Sequence, residues 1–162
     1  MIIRSETSGD VAAIRIVEEV AFGRADEARL IDDLRDAGDS VFSLVAVDGD
    51  TVVGHVLFSR MKAPFPALAL APVAVQPEYR RTGIGSRLIR EGIARSEAEG
   101  WAGIFVLGDP AFYRRFGFSA ASARGFTSPY AGPHLMALSL GRSELPVAEG
   151  RIEHAPAFAK LG

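Results

Sequence analysis

The stretch from Leu68 to Gly100 constrains this chain most. It reads as an apolar strand, LALAPVAV, then a basic turn, QPEYRRTGIG, then an amphipathic segment, SRLIREGIARSEAEG. A strand that hands over to a helix through glycines leaves the N–H groups of the helix's first turn without partners, and such an end binds phosphate. Gly83 and Gly85 remove two side chains from the turn, so several N–H donors can converge on one oxyanion, and Arg80 and Arg81 add positive charge beside them. From Ile84 onward, Ile84, Leu88, Ile89 and Ile93 recur at helical spacing, while Arg87, Arg90, Glu91 and Arg95 take the other side. Glu91 stands one turn before Arg95, and Gly100 supplies a stop.

Spacing separates three phosphate-binding designs. A P-loop needs Lys and then Ser or Thr directly after its second glycine, and here Gly85 is followed by Ser86 and Arg87. A dinucleotide fingerprint needs a third small residue for close helix-strand packing, and the bulky Leu88 takes its place. A second chemical stretch, LGDPAFYRRFGF, follows an apolar run at Gly103 to Leu107. Pro110 suits the first position of a short helix, Tyr113 lies one turn in, and Gly117-Phe118 ends the helix and opens a strand. From the residues alone, Tyr113 fills a core gap beside Phe112 and Phe116 as readily as it does chemistry.

The pattern Arg80-x-x-Gly83-x-Gly85, behind a strand interrupted by Pro72, resembles the pyrophosphate-binding motif of the GNAT superfamily of acyl-CoA-dependent N-acetyltransferases. Tyr113-x-x-x-Gly117-Phe118 resembles the second hallmark of that superfamily. The two motifs stand in the family's order, about thirty residues apart, and together cover the C-terminal half of the domain core. The N-terminal half agrees in element order only.

The resemblance implies an α/β fold: a mixed, mostly antiparallel central sheet with splayed central strands, flanked by helices. It implies acetyl-CoA in the cleft between those strands and no metal. Pro72, which cannot donate to a ladder, is compatible with a bulge there. Val73, Ala74 and Val75 would pair with the pantetheine arm as an added strand, and Arg80, Arg81, Thr82, Gly83, Ile84, Gly85 and Ser86 would hold the pyrophosphate. Tyr113 would be the general acid at the coenzyme sulfur. The amine acceptor, a small molecule or a peptide, would attack the thioester directly, which suits a chain without cysteine. For the base, Glu27 leads His55 and His134, because the polar break FGRADE borders the acceptor in such folds. Arg114 and Arg115 read as contacts to adenosine or as solvated surface, and Asp109 as a cap on the short helix.

Composition bounds the rest. A chain of 162 residues, 48% hydrophobic, suits a single domain over 1–162, with residues 141–162 as an optional C-terminal extension. Its formal charge of -2 and pI near 5.9 exclude a general nucleic-acid binder. With no cysteine there is no disulfide, thiolate metal site or cysteine nucleophile, and the three histidines lie far apart without ligand spacing. The N-terminus lacks a basic-then-apolar signal pattern, and the charge-free run from Ala63 to Val75 falls short of the ~20 residues that span a bilayer. A cytoplasmic protein is expected, without membrane or nucleic-acid partners and with a homodimer left open.

In chain order the sequence predicts a strand at Ile2 to Arg4, then a helix capped by Ser8 or Asp10 with Val11, Ile14, Val17 and Val20 inward. A second helix carries Ala28, Leu30, Ile31 and Leu34. A hairpin follows around Asp48-Gly49-Asp50, joining Val41 to Val47 with Val52 to Ser59. After the central strand and helix come a wholly buried strand at Gly103 to Leu107, a helix from about Pro110, and strands near Phe118 and from Leu135 to Leu140. The loop Ser119 to Pro133 is expected to be a mobile cover over the substrate, and the last twenty or so residues to pack loosely. A catalytically silent acyl-CoA-binding module is the alternative function, and a nucleotide binder with a degenerate dinucleotide turn is a third.

Overall fold

A computed structural model describes residues 1–161. The elements run β1 (Ile2–Ser5), α1 (Val11–Phe22), α2 (Asp26–Asp36), β2 (Ser40–Asp48), β3 (Thr51–Arg60), β4 (Ala67–Val75), α3 (Ile84–Ala98), β5 (Gly103–Leu107), α4 (Pro110–Tyr113), α5 (Ala120–Ala123), β6 (Phe126–Thr127), β7 (Leu135–Ser139) and β8 (Gly150–Arg151). Six strands form one mixed sheet in the order β1-β2-β3-β4-β5-β7, mostly antiparallel, and β6 pairs with β8 in a second small sheet. This is the α/β architecture expected from the sequence. The contacts gather into two units. The first holds Met1–Ser59, Ala71–Gly92 and the segment from Pro156, and the second holds Arg60–Leu70 and Ile93–Ala155.

In the first unit β1 runs antiparallel to β2, and β2 to β3 across the Gly49-Asp50 turn, with Asp48 opposite Thr51. Phe42 and Phe58 stack at 4.7 Å between ring centres. The second helix behaves as its periodicity predicts: Ala28, Leu30, Ile31 and Leu34 are all buried, and the larger three stabilise the fold by about 1.5–3 kcal/mol each. The first helix does not. Ile14 and Val17 are buried, but Val11 and Val20 are 37% and 47% exposed. Positions three apart fall short of a full turn by about 60°, so a row of i+3 steps spirals around the helix and its two ends leave the core. Glu18, four residues after Ile14, falls inside instead. Neither Ser8 nor Asp10 caps this helix through its side chain. The Asp10 carboxylate turns back to accept from the Thr7 N–H and the Arg4 guanidinium, both at 2.7 Å.

In the second unit β4 pairs in parallel with β5 over Ala67–Ala69 and Gly103–Phe105, and β5 pairs antiparallel with the whole of β7. Phe65, Phe105 and Phe126 meet in stacked and edge contacts at the centre of its core. Four expectations are corrected here. Leu107, the last residue of β5, is 48% exposed, so the strand is not buried along its whole length. Phe118 is buried but lies in no strand. The pairing signal there is a single bridge from Ser119 to Ala137, since Ser119 at once caps α5 by accepting from the Ser122 N–H. The segment from Ser119 to Pro133 is not a plain loop, since it holds α5 and β6. Residues 141–151 are mostly exposed, but the segment after them is not loosely packed: Ile152, Ala155, Ala157 and Phe158 are all buried.

Glu18 and His55 form a fully buried pair in the first unit, with Glu18 Oε2 2.7 Å from His55 Nδ1. Burial raises the Glu18 carboxyl to about 9, helped by the charge of Glu27, and lowers the His55 imidazole to about 3, helped by the Arg35 charge. Both shifts favour the neutral partners, so the pair holds one shared proton between those limits. Unfolded, the two groups would lose their protons near 4.5 and 6.5. Below 4.5 the unfolded chain binds the extra proton, and above 6.5 the folded chain does. Stability from the pair therefore rises from pH 3 to 4.5, stays level to 6.5, and falls from 6.5 to 9. Measured by denaturant melts, the advantage of the wild type over Glu18→Gln should shrink from pH 4.5 to 9, by at most about 1.4 kcal/mol per pH unit. An advantage that is constant or grows with pH contradicts the shared-proton pair.

Candidate active site

The basic turn lies wholly in the first unit. β4 ends at Val75, and Gln76 N–H donates to the Val53 carbonyl at 2.8 Å, which fixes where the chain leaves the sheet. A single 3-10 turn, Pro77–Tyr79, follows. It is anchored from both sides, by Tyr79 OH donating to Asp48 Oδ2 at 2.7 Å and by the Thr82 hydroxyl donating to the Tyr79 carbonyl. Arg80 reaches back to the Ala21 carbonyl at 3.2 Å.

The backbone then turns left-handed twice, at Arg81 (φ 65) and at Gly83 (φ 83). A side chain at Gly83 would have open space around its Cβ, so the conformation and not crowding calls for glycine there. Arg81 tolerates the same region at a cost of order 1 kcal/mol, an outlier of the kind found at ligand-binding turns. The first main-chain bond into α3 runs from Arg87 N–H to the Gly83 carbonyl at 3.0 Å. Among the described residues, the N–H groups of Arg81, Thr82, Gly83, Ile84, Gly85 and Ser86 donate to no protein acceptor. Arg80 to Gly83 are exposed, while Gly85 and Ser86 are half-buried. Side-chain-free donors, a helix start and two guanidinium groups thus share one short turn, and that set fits a diphosphate. Along the end of β4, Val73 and Val75 are half-buried and Ala74 is buried, and the Ala71–Pro72 peptide is cis.

Glu27 sits in the first turn of α2 rather than in a surface loop. Its carboxylate is 4% exposed and takes Arg24 Nε at 2.9 Å and Nη2 at 2.5 Å. The break between α1 and α2 is therefore only Gly23 to Ala25, because Asp26 and Glu27 complement the positive end of the second helix. His55, the second candidate base, is committed to Glu18.

The second motif lies in the second unit. Asp109 caps α4 as expected, accepting from the Ala111 N–H at 3.0 Å. Tyr113 packs edge-on to Phe112 and Phe118, at 5.0 and 5.9 Å between ring centres, so the packing role is real. Its ring also lies so close to Gly108 that a Cβ there would come within 2.5 Å of it, which only glycine permits. No described residue hydrogen-bonds the Tyr113 hydroxyl, and burial pushes the phenol up to about 12, so it keeps its proton at neutral pH. Arg114 and Arg115 are exposed, with the Arg115 guanidinium 5.0 Å from the centre of the Phe112 ring. The third candidate base, His134, is exposed. Its Nδ1 lies 3.1 Å from the Gly108 carbonyl, and its own carbonyl accepts from the Gly108 N–H at 3.0 Å.

A strand, a left-handed turn of free donors and a helix, on a mixed six-stranded sheet, define an acyltransferase class. A sequence model of the Acetyltransferase (GNAT) family matches residues 11–118, and the chain belongs to that family. It is 40% identical over 133 residues to the uncharacterized N-acetyltransferase YjhQ of Escherichia coli strain K12, covering 76% of this chain and 73% of the relative. It is 37% identical over 126 residues to the uncharacterized N-acetyltransferase YhbS of the same strain, covering 75% of each. Among solved structures, YhbS from Escherichia coli in complex with CoA superimposes with a TM-score of 0.92 at 31% identity, over 99% of this chain and 93% of that one. A GNAT family acetyltransferase from Brucella melitensis in complex with acetyl-CoA gives 0.82 at 34% identity, over 97% of both chains.

Proposed function

We propose that this protein transfers an acetyl group from acetyl-CoA to a primary amine by direct attack in a ternary complex. The observation that carries the reading is the row of unaccepted N–H donors from Arg81 to Ser86, opened by left-handed Arg81 and Gly83. Two relatives crystallised with CoA and acetyl-CoA support it. Arg80, Arg81, Thr82, Gly83, Ile84, Gly85 and Ser86 would hold the diphosphate, and the main chain of Val73, Ala74 and Val75 would pair with the pantetheine arm. Acetyl-CoA supplies the activated acyl thioester.

The residues of the chain then manage two protons. As the amine lone pair forms the new C–N bond and the C–S bond breaks, Tyr113 gives its phenolic proton to the departing sulfur. Glu27, through water, takes the proton the amine must lose, and solvent restores Tyr113. The products are the acetylated amine and free CoA thiol. The absence of cysteine accords with a route that has no acyl-cysteine enzyme. Among the described residues no helix is long and apolar enough to cross a membrane, and no cluster of side chains could hold a metal ion.

Acetyl-CoA at a hundredfold excess over its dissociation constant should stabilise the protein by about 2.7 kcal/mol, read as a rise in Tm. Gly83→Asp should fold and lose that rise, since its carboxylate would project into the donor row from a strained backbone. No shift in the wild type, or an undiminished one in a folded Gly83→Asp protein, contradicts the diphosphate site.

Tyr113→Phe tests chemistry apart from binding. The ring and its packing remain while the proton is lost, so acetyl-CoA affinity should stay within about threefold while turnover falls roughly ten- to a thousandfold. Because the phenol holds its proton to about 12, wild-type turnover should show no loss from its ionisation below pH 10 or so. Full turnover in a folded Tyr113→Phe variant removes Tyr113 as the acid.

A further inference from the structure

The second unit carries a cavity of about 340 Å³ that the reading above leaves unused. Ala120 and Ala123 of α5 line it together with Ala131, Pro133, Leu135 and Arg124. Small apolar side chains leave space instead of filling it, and Arg124 is the one charged group on the wall. Arg124 is exposed and, like Arg114 and Arg115, pairs with no carboxylate among the described residues, so its guanidinium is not committed to an internal ion pair. Every wall residue lies after Phe118, beyond the stretch that the family shares.

The main chain beneath Arg124 is tied on both sides. Before it, Ser119 caps α5 at 3.1 Å and exchanges two main-chain bonds with Ala137 of β7, at 3.1 and 3.0 Å. After it, β6 pairs with β8, and Phe126 is buried in the aromatic core. A guanidinium on a fixed stem loses less freedom on taking a ligand than one on a loose loop.

The cavity wall is joined along the chain, through His134, to the residues beside Tyr113. Pro133 and Leu135 flank His134, whose main chain and ring both bond Gly108, and the Tyr113 ring lies against Gly108. An acceptor seated here would have its apolar frame on the alanines, its anionic end at Arg124, and the Gly108–Tyr113 corner next door.

We infer that this cavity is the acceptor pocket and that Arg124 recognises a carboxylate, so that the acceptors are small aliphatic amines bearing a carboxylate, that is, amino-acid-like compounds. The inference rests on the N-acetyltransferase reading and narrows it. A planar guanidinium takes a carboxylate through two parallel N–H bonds, and a neutral amide cannot reproduce that pair. The volume lies near the lower end of the range for small-ligand sites, about 300–1,000 Å³, which suits a free small molecule.

The test pairs each acid with its amide. L-leucine, 4-aminobutanoate and 6-aminohexanoate are compared with their carboxamides, by turnover with acetyl-CoA and by calorimetric binding to the CoA-loaded protein. At least one acid should exceed its amide roughly tenfold or more in kcat/KM and in affinity. Arg124→Gln should lower the response to that acid by roughly ten- to a hundredfold, mainly through KM, while its amide loses far less and Arg124→Lys restores part of the acid response. Equal handling of acid and amide by the wild type, or an equal loss of both in Arg124→Gln, overturns the assignment. Loss of the acetyl-CoA thermal shift would instead overturn the transferase reading, so the two failures are distinguishable.

Discussion

Two left-handed residues, Arg81 and Gly83, hold open the handover from β4 to α3. Every helix leaves its first N–H groups without main-chain acceptors, and the two left-handed residues carry that open row back into the turn. Among the described residues the N–H groups from Arg81 to Ser86 find no acceptor, and the helix ladder starts at Arg87. Everything around the turn keeps it in that state. Gln76 pins the end of the strand to Val53, Tyr79 reaches Asp48 in the β2–β3 turn, and Arg80 reaches the last turn of α1. Fixed donors that need no reorganisation bind an oxyanion at less cost than mobile ones.

Behind that turn, the first unit buries charge as well as apolar surface. Glu18 and His55 share a proton in the core, and His55 Nε2 lies 3.9 Å from Glu6, which also bonds Ser43 and Arg35. Glu6, just after β1, hydrogen-bonds α2 and β2, and the Glu18–His55 pair joins α1 to β3; among the described residues the two sets approach across 3.9 Å at His55 Nε2, which has no hydrogen-bond partner. Breaking one member would strand a buried polar group, which costs more than the bond itself contributes. It also places a proton-holding pair within electrostatic reach of Glu27, whose charge raises the Glu18 carboxyl further.

Much of this was legible in the sequence because the signals were local. The turn glycines, the periodicity of α2 and α3, the Asp48-Gly49-Asp50 hairpin and the cap at Asp109 each depend on a few neighbouring residues, and each formed as read. The misreadings came where tertiary context decided. Val11 and Val20 look inward in a row of three-residue steps, yet the helix rotates them outward and turns Glu18 inward. Glu27 reads as a surface glutamate until Arg24 folds over it. Glu18 carried one signal that could have found it, its place four residues after the buried Ile14. Arg124 carried none, because its meaning depends on a cavity assembled from α5 and the approach to β7.

The backbone donors of this turn are proposed to hold the diphosphate of acetyl-CoA. Amide ¹H–¹⁵N spectra of the ¹⁵N-labelled protein, recorded as CoA is added, test it most directly, because hydrogen bonding to phosphate moves the donor resonances themselves. The amides of Arg81, Thr82, Gly83, Ile84, Gly85 and Ser86 should shift furthest and saturate together at one dissociation constant. Saturable CoA binding that leaves those resonances in place while others move would contradict it.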